Sequence, residues 1–248
     1  PFAADYRFDA DAVRAQWAAL HAVDAEPLPT DEAVLQAWAL FHSGQFERAS
    51  EAALALGVNG LSLANRATAA HAGLIEPQEQ TRIALFKRVH ARACAHAAQR
   101  PSHPNAWYWQ GYALAQYAQG IHVARALAQG LGTQVRAALE ATLALAPGHA
   151  YAHVALGAFH AAVIDKVGPL VGAMTYGARA DTALNHLREA QRLAPDSAAV
   201  LFECAGALVL LDGEARLAEA TRLQEQAAQL TARDAVERLW VELARTSL

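Results

Sequence analysis

Apolar residues recur at spacings of three and four along nearly every window of this chain, and Gly or Pro breaks the pattern at intervals. That period puts apolar side chains on one face of an α-helix, whereas half-buried strands need strict alternation, and alternating β-branched runs are almost absent. The breakers fall at Pro27 and Pro29, Gly57 to Gly60, Pro77, Pro101 to Pro104, Gly130 to Gly132, Pro147-Gly148, Gly168-Pro169, Pro195-Asp196 and Asp212-Gly213. They mark out about ten helices, most of about 12–20 residues, the lengths found in helical hairpin arrays. The expectation is an all-α protein.

Small residues set the architecture. The tetratricopeptide (TPR) pattern asks for W-x2-L-G-x2-Y on a first helix and A-x3-F then P on a second, because small side chains let antiparallel helices approach and large ones fill the gaps. Trp107, Gly111 and Leu114 fit the first helix, as do His153, Leu156-Gly157 and His160 in the next unit, whose second helix supplies Ala183, Leu187, Ala190 and Pro195. The stretch "LFHSGQFERASEAAL" offers Gly44, Phe46 and Ala49, and Gly206, Gly213 and Ala218 follow in matching order. The pattern predicts a right-handed superhelix of antiparallel helical hairpins over residues 1–248 as a single domain. Its parts are an N-terminal helix within about 1–29, degenerate repeats at 30–57, 58–101, 104–147, 150–195 and 198–231, and a C-terminal helix at 232–248.

"HAYAHVALGAFH" raises the question of a metal. His149, His153 and His160 stand four and seven residues apart, yet the Glu that follows the first His in zinc proteases is missing. His153 and His160 occupy places where the repeat wants aromatic rings, so both are read as core fillers facing the second helix, and no metal or other cofactor is expected.

The two middle units exceed a 34-residue repeat by about a dozen residues. "KVGPLVGAMTYGAR" (166–179) is apolar, rich in Gly and unsuited to a regular helix, and is read as an interaction loop or a connector folded back on the array. Its Gly spacing matches no phosphate-binding loop.

These features together resemble the TPR region of the regulator of microtubule dynamics family and its bacterial relatives. The resemblance spans about residues 105–215 and rests on the Trp107-Tyr108 start, Leu145-x-Pro147, "AHVALG", the long insertion and the helix from Ala183-Leu184 to Pro195. It implies a helical scaffold without catalysis. Eukaryotic members associate with microtubules and organelle membranes through an N-terminal anchor; the visible chain shows no such anchor, so the fold is expected to carry over and the microtubule role is not.

Composition narrows the partners. A net charge of −4 with interleaved signs gives no footprint for nucleic acid or an anionic membrane. Lys is confined to Lys87 and Lys166 while Arg and Ala abound, a bias of GC-rich bacterial genomes. Cys94 and Cys204 lack any paired context and are read as free thiols. No signal-peptide core or spanning segment is visible, so the chain is read as soluble, cytoplasmic, or periplasmic if a leader preceded Pro1.

Function is therefore expected to be non-catalytic: a scaffold that binds a protein or peptide partner in a concave groove of first helices. The alternative is a small-molecule or transporter-associated pocket protein; no nucleophile, carboxylate pair or phosphate loop points to an enzyme. If Trp107, Gly111 and Leu114 pack inward, Tyr108 and Tyr112 face the groove, joined by Tyr151, Val154 and Ala158 from the next unit and by Val34, Trp38 and Phe41 from the first. The binding candidates are thus Trp38, Phe41, Tyr108, Tyr112 and Tyr151, with burial under the terminal helices as the competing reading. A clamp for acidic peptide tails is not expected, since Asn105 alone could serve it.

Overall fold

The computed structural model describes residues 6–248, and among these no strand is formed. The helices follow in order: α1 Ala10–Leu20, α2 Glu32–His42, α3 Phe46–Ala55, α4 Leu61–Leu74, α5 Glu79–Gln99, α6 Pro104–Gln119, α7 Val123–Ala128, α8 Leu131–Leu145, α9 Ala150–Val167, α10 Pro169–Tyr176, α11 Ala180–Leu193, α12 Ala198–Gln229 and α13 Ala235–Thr246. Several starts are fixed by their own side chains: Asp9, Asp31, Ser197 and Asp234 each accept a hydrogen bond from a first-turn backbone N–H. Pro104 and Pro169 open α6 and α10, where a missing N–H removes nothing from the helix ladder.

Packing pairs the helices as α2 with α3, α4 with α5, α6 with α8, and α9 with α11. α12 bends at Asp212 and Gly213, whose backbone leaves the helical region, so its two limbs form a further hairpin. Successive pairs stack, and the apolar stripes merge into three clusters in which fully buried alanines such as Ala49, Ala67, Ala113 and Ala190 let backbones approach. Gly157 marks one of the closest approaches. A Cβ there would stand 2.5 Å from Leu187 Cδ2 and 3.3 Å from the Ala183 carbonyl oxygen on α11.

The extra length of the two middle units is spent on short helices placed between the paired ones. α7 lies between α6 and α8, and α10 between α9 and α11. The expectation that 166–179 resists helix formation is corrected for Pro169–Tyr176, because Gly168 and Gly177 take positive φ (80° and 65°) and turn the chain sharply at each end. Tyr176 is buried and Arg136 Nη1–H donates to its carbonyl at 2.6 Å, which docks α10 on α8, while Leu170, Val171 and Met174 face outward.

Two features depart from a plain stack. The connector 21–31 enters the molecule across the N-termini of α4, α6 and α9, where Ser62 Oγ–H and Asn105 Nδ2–H both donate to Glu26 and the Tyr151 N–H donates to the Val23 carbonyl. The favourable end of three helix dipoles accounts for acidic residues there. At the other end of the sequence, α13 crosses back to α2 and α4, and His42 Nδ1–H donates to Asp234 at 2.6 Å across 192 residues of chain.

Candidate functional site

The first helices of the pairs converge on one cleft of about 360 Å³. α2 contributes Phe41, α4 Arg66, α6 Tyr108 and Tyr112, α9 Tyr151 and α12 Glu203. The far side is closed by α13 through Val236, Trp240 and Leu243. Tyr108 forms the middle of a ring stack, its centroid 5.6 Å from Tyr112 and 6.2 Å from Tyr151, with interplanar angles of 24° and 23°. Tyr108 is buried whereas Tyr112 and Tyr151 are half-buried.

Four of the five sequence candidates, Phe41, Tyr108, Tyr112 and Tyr151, border this cleft, and Val154 and Ala158 join them. Trp38 does not, and its reading as a groove residue is corrected. It is 1% exposed, stacked on His42 and met edge-on by Trp17, His21 and Phe41, because the α1 helix and the returning α13 bury that face of α2. Trp107, expected to pack inward, is half-buried and its Nε1–H donates to the Pro101 carbonyl at 2.8 Å. Trp109 takes the interior position instead. Segment 166–179 contributes no residue to this cleft, but lines the adjoining cavity through Lys166, Val167 and Tyr176.

Arg66 forms the charged floor. Its guanidinium pairs with the Asp24 carboxylate and lies 5.6 Å from the Trp38 ring centroid and 5.1 Å from that of Phe41. Burial lowers its pKa, against the pull of Tyr151, Asp234 and Tyr108. Asn105, far from clamping a peptide, is buried and occupied: its amide donates to the Asp24 carbonyl at 2.9 Å and to Glu26, and its Oδ1 accepts from His149.

The three histidines divide into two jobs. His149 caps α9, its Nδ1 accepting from the Ala152 N–H at 3.1 Å, which fixes the proton on Nε2 for donation to Asn105. Burial pushes its pKa down to about 3. His153 and His160 point to α11: His153 Nε2–H donates to the Pro147 carbonyl, leaving Nδ1 to accept from His186 Nδ1–H at 2.9 Å. His160 is buried and accepts from the Arg179 N–H. Among the described residues no group of three or more His, Cys, Asp or Glu is arranged to hold a metal, and Cys94 and Cys204 are free.

On the other side of Tyr112 an inner cavity of about 160 Å³ adjoins the cleft between α6, α8, α9 and α10, and its lining includes Leu131, Val135, Phe159, Val163 and Tyr176. Tyr112, Gln116, Gln119, Ala158 and Glu203 border both spaces. Burial pushes the Glu203 carboxyl up to about 7. Sequence reading passed over Glu203 and Arg66, although both carry a signal: each is the sole charged residue in a long apolar stretch, between Asp196 and Asp212 and between Glu51 and Glu76. A lone charge on the inner face of an apolar helix has to meet a partner, a cavity or a ligand.

No family model and no curated protein matches this sequence. A solved structure does: a thermophilic TPR protein of Thermus thermophilus superposes with a TM-score of 0.57 at 17% identity, covering 86% of this chain and 97% of that one. The fold is TPR-like. At that identity the likeness carries the fold and nothing about a partner. No helix of the described residues is long and apolar enough to cross a membrane.

Proposed function

We propose that the chain works as one non-catalytic TPR-type array, with repeats at 30–57, 58–101, 104–147, 150–195 and 198–231, that receives a segment of a protein partner in its concave cleft. The observation that carries this reading is the convergence of Tyr112 and Tyr151, both half-buried, on a single open space from two first helices, with the buried rings of Tyr108 and Phe41 as the wall behind them. Rigid aromatic rings supply large contact area with few torsions to freeze on binding, the usual make-up of an interface anchor. The mixed surface charge favours a protein over nucleic acid as the partner.

The test uses partners that co-purify with the chain from cell extract. Tyr112→Ala with Tyr151→Ala is expected to weaken their binding by about 2 kcal/mol or more while circular dichroism stays unchanged. Undiminished binding by a folded double variant would remove the cleft from the interface. A second reading, a pocket for a small molecule, is favoured by the apolar cavity that adjoins the cleft at Tyr112. Native mass spectrometry of the purified chain separates the two by the mass of what stays bound.

A further inference from the structure

Glu203 lines both the outer cleft and the inner cavity, and among the described residues no protein cation answers its carboxylate. Arg66, the charge that α4 brings to the outer wall, is paired with Asp24. Lys166, the charge that α9 brings, borders only the inner cavity. Along the α9 stripe Ala158, Ala162, Lys166, the lysine stands eight residues beyond Ala158, about 12 Å along the axis. α6 faces the carboxylate with the phenols of Tyr108 and Tyr112, both pushed well up by burial and by neighbouring groups that include Glu203 and so uncharged, and with the amide of Gln116, while α13 presents Val236, Trp240 and Leu243 to the cleft. The adjoining Cys204 thiol is pushed up to about 12 by burial and by Glu203 itself, and so carries no charge.

An unpaired carboxylate beside tyrosines, at the edge of an apolar chamber, is the complement of one ligand chemistry. We infer that the inner cavity binds a small primary amine with an apolar body, its ammonium held between Glu203 and the Tyr112 ring and its body among Leu131, Val135, Phe159 and Val163. The ring attracts the cation and the carboxylate neutralises it. Lys166 sets the polarity, since an ammonium placed at its end of the cavity meets a like charge. This site lies behind the cleft assigned to a protein partner and does not depend on that assignment.

Charge linkage gives the site a signature. An alkylamine, with a pKa near that of Lys at about 10.4, stays protonated through neutral pH. The carboxyl, pushed up to about 7, must release its proton before the ion pair forms. Affinity therefore rises with pH.

The probe is n-hexylamine, titrated into the full chain by calorimetry beside 1-hexanol and hexanoate. The expected result is saturable binding of the amine, at least about tenfold tighter than the alcohol or the acid, and about tenfold tighter at about pH 8 than at about pH 6. Glu203→Gln, which keeps the side-chain shape, is expected to lose at least about tenfold and to abolish the pH dependence, and Ala162→Leu to weaken the amine by filling the chamber. Equal binding of amine and alcohol, no binding of the amine, or an unchanged Glu203→Gln titration overturns the inference; so does a wild-type affinity independent of pH, a measurement that needs no variant. Partner capture by Glu203→Gln, scored separately, reports on the outer cleft.

Discussion

Glu203 shows how a single residue trades stability for a site. Its carboxyl takes a proton at about 7 in the fold, against about 4.3 in an unfolded chain. Between those values the folded state holds a proton that the unfolded state has lost, so the residue subtracts stability as pH rises through that window and the loss is complete above it. Replacing it by Gln is expected to stabilise the protein at about pH 8 by on the order of 1–3 kcal/mol, with the gain vanishing near about pH 4. Urea denaturation of both proteins at the two pH values measures this, and equal midpoints at the higher pH would show a carboxylate already neutralised. Trp38 is the opposite case. It has the character of a binding residue in the sequence and is committed to the core, enclosed by four other rings.

At the scale of elements, the contact of α9 with α11 is the sharpest statement of the repeat. Gly157 is the place where the two helices come together, and the atoms opposite it include a backbone carbonyl that has nowhere to move. Gly157→Leu is expected to destabilise by about 1–3 kcal/mol or more through overpacking, lowering the melting temperature by about 2–4 °C for each kcal/mol in a chain of this size. An unchanged melting curve would mean that α9 is rotated from the register described. Gly111 plays the same part between α6 and α8, where an added Cβ would stand 2.9 Å from Leu139 Cγ. Both glycines were legible because the W-x2-L-G spacing is a packing rule. α10 was not, since eight residues between two glycines give no period to read; its helix is docked by its own buried Tyr176, whose carbonyl accepts from Arg136 on α8.

Over the whole molecule, histidines held neutral dominate the response to acid. Burial lowers the pKa of His149 to about 3 and those of His96 and His160 to about 4, and His21 and His186 are lowered as well. In the unfolded chain all five protonate near about 6.5, so below that pH the unfolded state binds more protons and stability falls as pH drops; Glu203 opposes this with one proton only. The melting temperature is expected to decline from about pH 7 to about pH 5, and His149→Asn, able to keep both the α9 cap and an Asn105 contact, to flatten the decline. A flat profile in the wild type would place these rings in water.

The periodic pattern by itself determined that the chain is all-helical and TPR-like, because backbone hydrogen bonding and the packing of small against large residues act within one hairpin and leave their mark at short spacing. It also marked Tyr108, Tyr112, Tyr151 and Phe41, which share a helix face with their repeat positions. Tertiary structure alone decided that connector 21–31 fills the N-terminal ends of α4, α6 and α9, that Asp234 reaches His42, and that Glu203 stands at the waist between two cavities. Those contacts join residues far apart in the chain, and burial, which gives each its energetic weight, is a property that no local spacing encodes.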